Sequence, residues 1–204
     1  IFPIYGFGLP KMVRKFLEKA TWEAGFTFAV GTYGNLPGAA MTEVQKIAKK
    51  HGQRFDYAAS LLMVDNYLPG FDVNDQIKKL PEKRIEENLA RIITDIQNRK
   101  TLKAADGLGW RAATAILKHG EKLFLGGKQG QRYIVNQDCI KCGICAKICP
   151  AGNITVSDQV RFADRCEGCL GCAHLCPQNA IHLKNEKNHI RWLNPDVSLN
   201  EMTA

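Results

Sequence analysis

The chain has 204 residues, of which 45% are hydrophobic and 24% are charged, and its formal net charge is +8 at pH 7. This length suits one large or two small domains, and the ordinary apolar fraction excludes a disordered chain. No apolar run approaches the roughly 20 residues of a membrane-spanning helix, and no targeting segment is recognisable. We therefore expect a soluble, cytoplasmic protein with no membrane partner. The start at Ile1 rather than Met predicts a fragment of a longer product.

The positive charge is concentrated in the middle of the chain. Residues 76–132 carry 13 Lys or Arg and 6 Asp or Glu, whereas the segments on either side are close to neutral. A basic segment suits nucleic acid or an acidic protein. Here the charges interleave with Glu and with apolar residues at helical spacing. A pair of solvated helices is therefore the favoured interpretation, and nucleic acid is not expected as a partner.

The first third of the chain alternates strand and helix patterns. A short strand at the N-terminus runs into a Gly/Pro loop, and Val13, Phe16, Leu17 and Ala20 then form a helical stripe. The apolar runs 26–33 and 56–64 are typical of parallel strands that are buried on both faces. A helix between them is predicted to begin near Ala40 and to end by Gly52. The order strand, helix, strand, helix, strand predicts an α/β domain with a parallel sheet.

Helical spacing resumes from Pro81 to about Lys103, and a further short helix is predicted from about Trp110 to Leu117. The Gly-rich stretch 126–131 has the composition of a flexible linker. We therefore predict an α/β domain over residues 1–103, a helical and Gly-rich linker over 104–131, a small domain over 132–188 and a polar tail over 189–204.

All eight cysteines lie between positions 139 and 176, in two copies of one pattern that are offset by 27 residues. Such clustering argues against a disulfide framework, and metal binding is the better explanation. Each copy has the C-x2-C-x2-C-x3-C-P spacing of bacterial iron–sulfur ferredoxins. Zinc is the alternative, but zinc sites typically pair two C-x2-C knuckles across a longer gap. The spacing therefore predicts an iron–sulfur domain.

This domain resembles the bacterial two-cluster 4Fe–4S ferredoxins over its whole length, which implies a small α+β fold. The resemblance also implies that the fourth cysteine of each copy binds the cluster of the other copy. His174 lies between two ligand positions, and we expect it to be solvated and not a fifth ligand. The implied ligands are Cys139, Cys142, Cys145 and Cys176 for cluster one, and Cys149, Cys166, Cys169 and Cys172 for cluster two.

Glycines and aromatic residues recur in the loops that follow the strands of the α/β domain. Ligands of parallel sheets bind beyond the carboxyl ends of the strands. Glycines allow close approach there, and aromatic side chains offer flat walls that suit an isoalloxazine ring. Simple packing of the aromatic residues is the alternative. The candidate FMN-binding residues are Tyr5, Gly6, Phe7, Gly8, Thr32, Tyr33, Gly34, Asn66 and Tyr67.

Taken together, the two parts resemble the flavodoxin–ferredoxin fusion proteins, a family of small electron-transfer proteins. The stretches FPIYGFGLPKMVRKFL, TYGNLPGAA and VDNYLPG are similar to the later strands and flavin loops of a flavodoxin-like domain. Nothing in the chain matches the first strand of that domain or its phosphate loop, so the domain is expected to be incomplete. We accordingly expect this chain to bind FMN weakly or not at all and the full-length protein to bind it. We also expect the strand at Phe2 to leave an exposed edge that is prone to association.

Three functions are weighed against each other. The favoured one is an electron carrier that passes single electrons through two 4Fe–4S clusters and exchanges them with a redox protein, an acidic one among the candidates. The alternative is a flavin-dependent reductase that acts on a small substrate with electrons fed through the clusters. No catalytic residue is predicted, because Asp65 and Asn66 are better explained as turn residues. The third and least favoured function is an interaction module in which the clusters are structural and the basic helices bind nucleic acid.

Overall fold

The computed structural model describes residues 1–104, 112, 114 and 129–203, and the chain divides into two compact units. The first, which we call the sheet unit, comprises Ile1–Asp65 and Lys79–Phe124. The second, which we call the cysteine unit, comprises Asn66–Lys78 and Leu125–Ala204. Within the described part of the chain, no helix combines the length and the apolar character needed to cross a membrane.

Up to Gln97, strands and helices follow one another largely as the sequence predicts. In chain order they are β1 (Phe2–Pro3), α1 (Lys11–Lys19), β2 (Phe28–Tyr33), α2 (Ala40–Lys50), β3 (Tyr57–Leu62), α3 (Val73–Lys78), α4 (Leu80–Lys83) and α5 (Ile85–Gln97). Of these elements, only α3 belongs to the cysteine unit.

The three strands of the sheet unit form one parallel sheet in the order β1-β2-β3. Phe2 lies opposite Gly31, and Phe28 lies opposite Tyr57. This arrangement confirms the predicted α/β class with a parallel sheet. β1 lies at one edge, and among the described residues no strand pairs with its outer side.

The sheet carries a hydrophobic cluster on each face because its side chains alternate along the strands. On one face, Ala29 and Ala58 pack with buried residues of α1 and α2. On the other face, Val30, Ala59 and Leu61 pack against Ile92 of α5. The helices therefore cover both faces, which is the usual condition of a parallel sheet.

The predicted continuous helix from Pro81 to about Lys103 is wrong in two places. Arg84 adopts a left-handed conformation with φ of 47°, which separates α4 from α5. Beyond α5, Leu102 accepts a hydrogen bond from Ala58 N at 2.8 Å and donates one to Asp56 O at 3.0 Å. The chain is therefore extended beside β3 and pairs with the open edge of that strand. This pairing satisfies backbone N–H and C=O groups at the strand edge that a continuation of α5 as a helix would not satisfy.

Two further predictions meet the limits of the described residues. The helix predicted from Trp110 to Leu117 lies outside them, except for Ala112 and Thr114. The predicted Gly-rich linker is described only from Gln129 onward, where Gln129–Arg132 forms a 3-10 turn. At the other end of the chain, the predicted polar tail contains a short helix.

The elements of the cysteine unit repeat with the same offset of 27 residues as its cysteines. The order β4, α6, β5 recurs as β6, α7, β7. After the 3-10 turn the elements are β4 (Tyr133–Val135), α6 (Ile144–Lys147), β5 (Ile154–Val156), β6 (Val160–Phe162), α7 (Gly171–His174), β7 (Ile181–Leu183) and α8 (Leu199–Thr203).

Each two-stranded antiparallel sheet of the cysteine unit joins the two repeats. β4 of the first repeat pairs with β7 of the second, and β5 pairs with β6. The shared core includes Cys145 and Cys172 among its buried residues. The apolar pattern places residues 66–78 in the α/β domain, but Leu68 and Val73 of that segment lie in this core.

Candidate functional site

Left-handed backbone conformations at matching positions shape the two cysteine loops. Three residues in each repeat have positive φ, and each is 27 positions from its counterpart. A side chain at such a position costs roughly 1–2 kcal/mol, so the surrounding structure must hold these residues in place. They bend each loop so that its cysteines converge. The pairs are Lys141 and Gly168, Gly143 and Leu170, and Gly152 and Asn179.

The eight cysteines line two separate cavities, four to each. The cavities have volumes of about 330 and 340 Å³, including space that is open to solvent. Each takes three cysteines from one repeat and the fourth from the other. Cys139, Cys142, Cys145 and Cys176 line the first cavity, and Cys149, Cys166, Cys169 and Cys172 line the second. These are the two sets that the ferredoxin resemblance implies, and their role as cluster ligands stays a prediction.

Backbone N–H groups point at the sulfur atoms of the crossing cysteines. Asn153 N donates to Cys149 Sγ at 3.2 Å, and Ala180 N donates to Cys176 Sγ at 3.3 Å. The two donors occupy equivalent positions, four residues after the fourth cysteine of each repeat. Hydrogen bonds to sulfur favour the thiolate, which is the form that binds metal.

Burial opposes ionisation of the cysteines that lie deepest. It raises the pKa of the Cys172 thiol, and the negative charges of Cys169 and Cys166 raise it further. In the first cavity, burial likewise raises the pKa of Cys145. Four thiolates facing one cavity repel each other unless a cation lies among them. The four cysteine sulfurs of each cavity therefore form a donor set that suits a soft metal centre.

The second cavity has supporting residues that the cysteine spacing does not reveal. Asn153 is 2% exposed, its Oδ1 accepts a hydrogen bond from Arg165 N at 2.6 Å, and its backbone O accepts one from Ala163 N at 2.9 Å. The ring of Tyr133 stacks on Phe162 with their centroids 4.8 Å apart. The sequence gave no signal for the role of Asn153 or Tyr133 beside this cavity.

His174 is buried, so the expectation that it is solvated is wrong. Its ring Nε2 donates to Asn66 O at 2.8 Å, and its Nδ1 accepts from Trp192 N at 3.1 Å. Both ring nitrogens therefore have partners, and burial lowers the pKa of the ring. His174 lines neither cysteine cavity. Its role is to tie two distant segments of the cysteine unit together.

The candidate flavin residues do not all belong to one unit. The backbones of Tyr5 and Gly8 exchange two hydrogen bonds of 3.1 and 3.0 Å, which close a tight turn after β1. Thr32 and Tyr33 lie at the carboxyl end of β2, and Gly34 follows them. Asn66 and Tyr67, in contrast, belong to the cysteine unit. Seven of the nine candidates thus remain together in the sheet unit.

A buried lysine holds the loops that follow β2 and β3. Lys83 is 6% exposed, and its Nζ donates to Gly34 O and to Met63 O at 2.6 Å each. Burial lowers the pKa of this lysine, and the nearby carboxyl of Asp65 opposes that change. A Cβ added at Gly34 would lie 2.4 Å from Cβ of Asp65, so this close approach requires glycine. The sequence gave no signal for this role of Lys83.

Comparison with known proteins identifies the cysteine-rich part. The 4Fe-4S binding domain family matches residues 132–155. The pyruvate synthase subunit PorD of Methanothermobacter marburgensis is 36% identical over 27% of this chain and 67% of that subunit. The chain belongs to the 4Fe–4S ferredoxin-domain proteins. This membership confirms the predicted iron–sulfur domain.

Other relatives of this ferredoxin domain match the same part of the chain. PorD of Methanocaldococcus jannaschii is 43% identical over 22% of this chain and 57% of its own length. The polyferredoxin protein MvhB of Methanothermus fervidus is 41% identical over 24% of this chain and 12% of its own length. The chain thus spans much less than the full length of these relatives. No solved structure matches the chain, and no comparison supports a flavodoxin-like domain.

Proposed function

We propose that the chain is an electron carrier that holds two 4Fe–4S clusters and passes single electrons through them. The observation that carries this proposal is the pair of four-cysteine cavities, each completed by a cysteine from the other repeat. A cubane cluster takes four thiolates, and the clusters of ferredoxins exchange electrons one at a time. The cysteines would hold the clusters, and the N–H groups at Asn153 and Ala180 would help to set their potentials.

The partner in this proposal is a redox protein that donates or accepts electrons. The names of the relatives support it, because they describe subunits of redox enzymes, among them pyruvate synthase and F(420)H(2) dehydrogenase. The loop of the first cavity is the more open one, since Cys142 is exposed and Ile140 is 63% exposed. Electron exchange with a partner is easiest where a cluster comes closest to the surface.

The test of this function is a count of iron, sulfide and electrons. We expect about eight iron and about eight sulfide atoms per chain after anaerobic preparation, because two four-iron sites are proposed. A low-potential viologen donor should then reduce the protein by about two electrons per chain, one for each cluster. One or two zinc ions without sulfide, or clusters that exchange no electrons, would contradict the proposal.

We also propose that the sheet unit has a flavodoxin-like fold and binds FMN at the carboxyl end of its sheet. Support comes from the parallel order β1-β2-β3, from the tight turn at residues 5–8 and from the close approach of Gly34 to Asp65 just beyond β2. In FMN titrations of the holoprotein, we expect weak, saturable quenching of flavin fluorescence. The Gly34→Ala variant should lose it, because the new Cβ collides with Asp65. Gly25→Ala is the matched control, since a Cβ there meets nothing within 4 Å. Absence of quenching, or equal quenching by both variants, would reject this site.

A further inference from the structure

Two histidines and a glutamate converge at the C-terminal end of the cysteine unit. His182 lies in β7, and Glu186 and His189 follow within seven residues. His182 Nδ1 and His189 Nδ1 each lie 2.7 Å from Glu186 Oε1, and the two ring nitrogens are 2.9 Å apart. The side chain of Glu186 is 4% exposed and that of His182 is 16% exposed, whereas that of His189 is 73% exposed. The group of three side chains is therefore buried at Glu186 and His182 and open to solvent at His189.

No placement of protons turns all three contacts among His182 Nδ1, His189 Nδ1 and Glu186 Oε1 into hydrogen bonds. Glu186 Oε1 can only accept when the carboxylate is ionised, so each histidine must carry its proton on Nδ1 to bond with it. The two Nδ1 atoms would then face each other at 2.9 Å as two donors. A cation among the three atoms would accept a lone pair from each of them at once. The geometry thus favours a metal ligand set over a hydrogen-bonded cluster.

We propose that His182, Glu186 and His189 bind a divalent transition-metal ion of the zinc type, separate from the clusters. Two imidazoles and one carboxylate with an open fourth position form a known zinc ligand set. Atoms bound to one tetrahedral zinc at about 2.0–2.1 Å lie roughly 3.3 Å apart, so the triangle must open by about half an ångström. The exposed side chain of His189 can supply that movement. None of the three residues lines either cysteine cavity.

Arg191 neutralises the carboxylate from the inner side of this cluster. Its Nη2 lies 3.0 Å from Ile181 O, 3.1 Å from Glu186 Oε1, 3.2 Å from Glu186 Oε2 and 3.0 Å from His182 Nδ1. Because Nη2 contacts Oε1 as well as Oε2, a bound metal ion and the guanidinium compete for this carboxylate oxygen. The guanidinium also repels that ion, which makes an ion pair without metal the competing arrangement. The experiment must therefore separate the two.

The test measures zinc bound to the holoprotein whose clusters are fully loaded. After incubation with Zn²⁺ and gel filtration, we expect one zinc per chain in addition to the cluster iron. His189→Gln should weaken zinc binding by roughly a hundredfold or more, because even a lost outer-shell partner costs about 10–100-fold. Since His189 is largely exposed, this variant should keep its iron and sulfide. Glu186→Gln should show the same loss of zinc, provided that its iron content is normal.

His51→Gln is the matched control, because His51 is an exposed histidine of the sheet unit. It should bind zinc as the unmodified chain does. Zinc held at incompletely loaded cysteine sites would not depend on His189, so equal binding by the His189→Gln variant would overturn the proposal. If the unmodified holoprotein does not retain zinc, the proposal is overturned as well. The role of His182, Glu186 and His189 would then be the ion pair with Arg191.

Discussion

Replacing Cys149 with alanine is expected to remove about half of the cluster iron, about four of eight atoms per chain. Cys149 belongs to the first repeat in sequence, but it lines the cavity that carries the three leading cysteines of the second repeat. Its loss should therefore damage the second site and spare the first. Cys176→Ala should have the opposite effect, because Cys176 lines the first cavity. Iron, sulfide and electron paramagnetic resonance spectra of the reduced protein measure the result.

Double variants decide whether the fourth cysteine crosses between the repeats. If it crosses, Cys149 and Cys172 serve one site, so Cys149→Ala with Cys172→Ala should lose no more iron than either change alone. Cys149→Ala with Cys145→Ala should then lose nearly all of it, since these two cysteines serve different sites. If each repeat binds its own cluster, the two double variants exchange their outcomes. That exchange would contradict the ligand sets proposed for both clusters.

Removing the iron anaerobically with a chelator is expected to unfold the cysteine unit and to leave the sheet unit folded. Strands of three residues in two-stranded sheets are too small to be stable alone. The core of the unit includes cysteine side chains, which would lose their metal and repel each other if ionised. The sheet unit has a hydrophobic cluster on each face and no cysteine. Its stability therefore does not depend on iron.

Hydrogen exchange followed by mass spectrometry can test this difference within a single sample. After iron removal, amides of β4 to β7 should exchange at rates close to those of an unfolded chain. Amides of β2 and β3 should keep the protection that they have in the holoprotein, and they act as the internal control. Protection of β4 to β7 that survives chelation would show that the clusters are not needed for the fold. Loss of protection in both units would show that the sheet unit also depends on them.

The sequence was most informative where covalent spacing decides the structure. The strands, the helices and the residues with positive φ repeat with the same 27-residue offset as the cysteines, because both repeats enclose similar sites. The strands at 28–33 and 57–62 were also predictable, since buried parallel strands need continuous apolar runs. Contacts between distant segments were not predictable. The pairing of Leu102 with β3 and the burial of His174 depend on partners that no local pattern specifies. No local pattern signals the left-handed conformation of Arg84 either.

The crossing of the fourth cysteines bears on how such a chain could arise. One repeat alone would offer three converging cysteines and a fourth directed elsewhere, so it could not complete a site by itself. Two copies of such a short chain would complete each other's sites in a symmetric pair, each lending one cysteine to its partner. Joining the copies in one chain turns that encounter into an intramolecular one, with a high effective concentration. The pairing of β4 with β7 and of β5 with β6 is the arrangement that such a duplication would preserve.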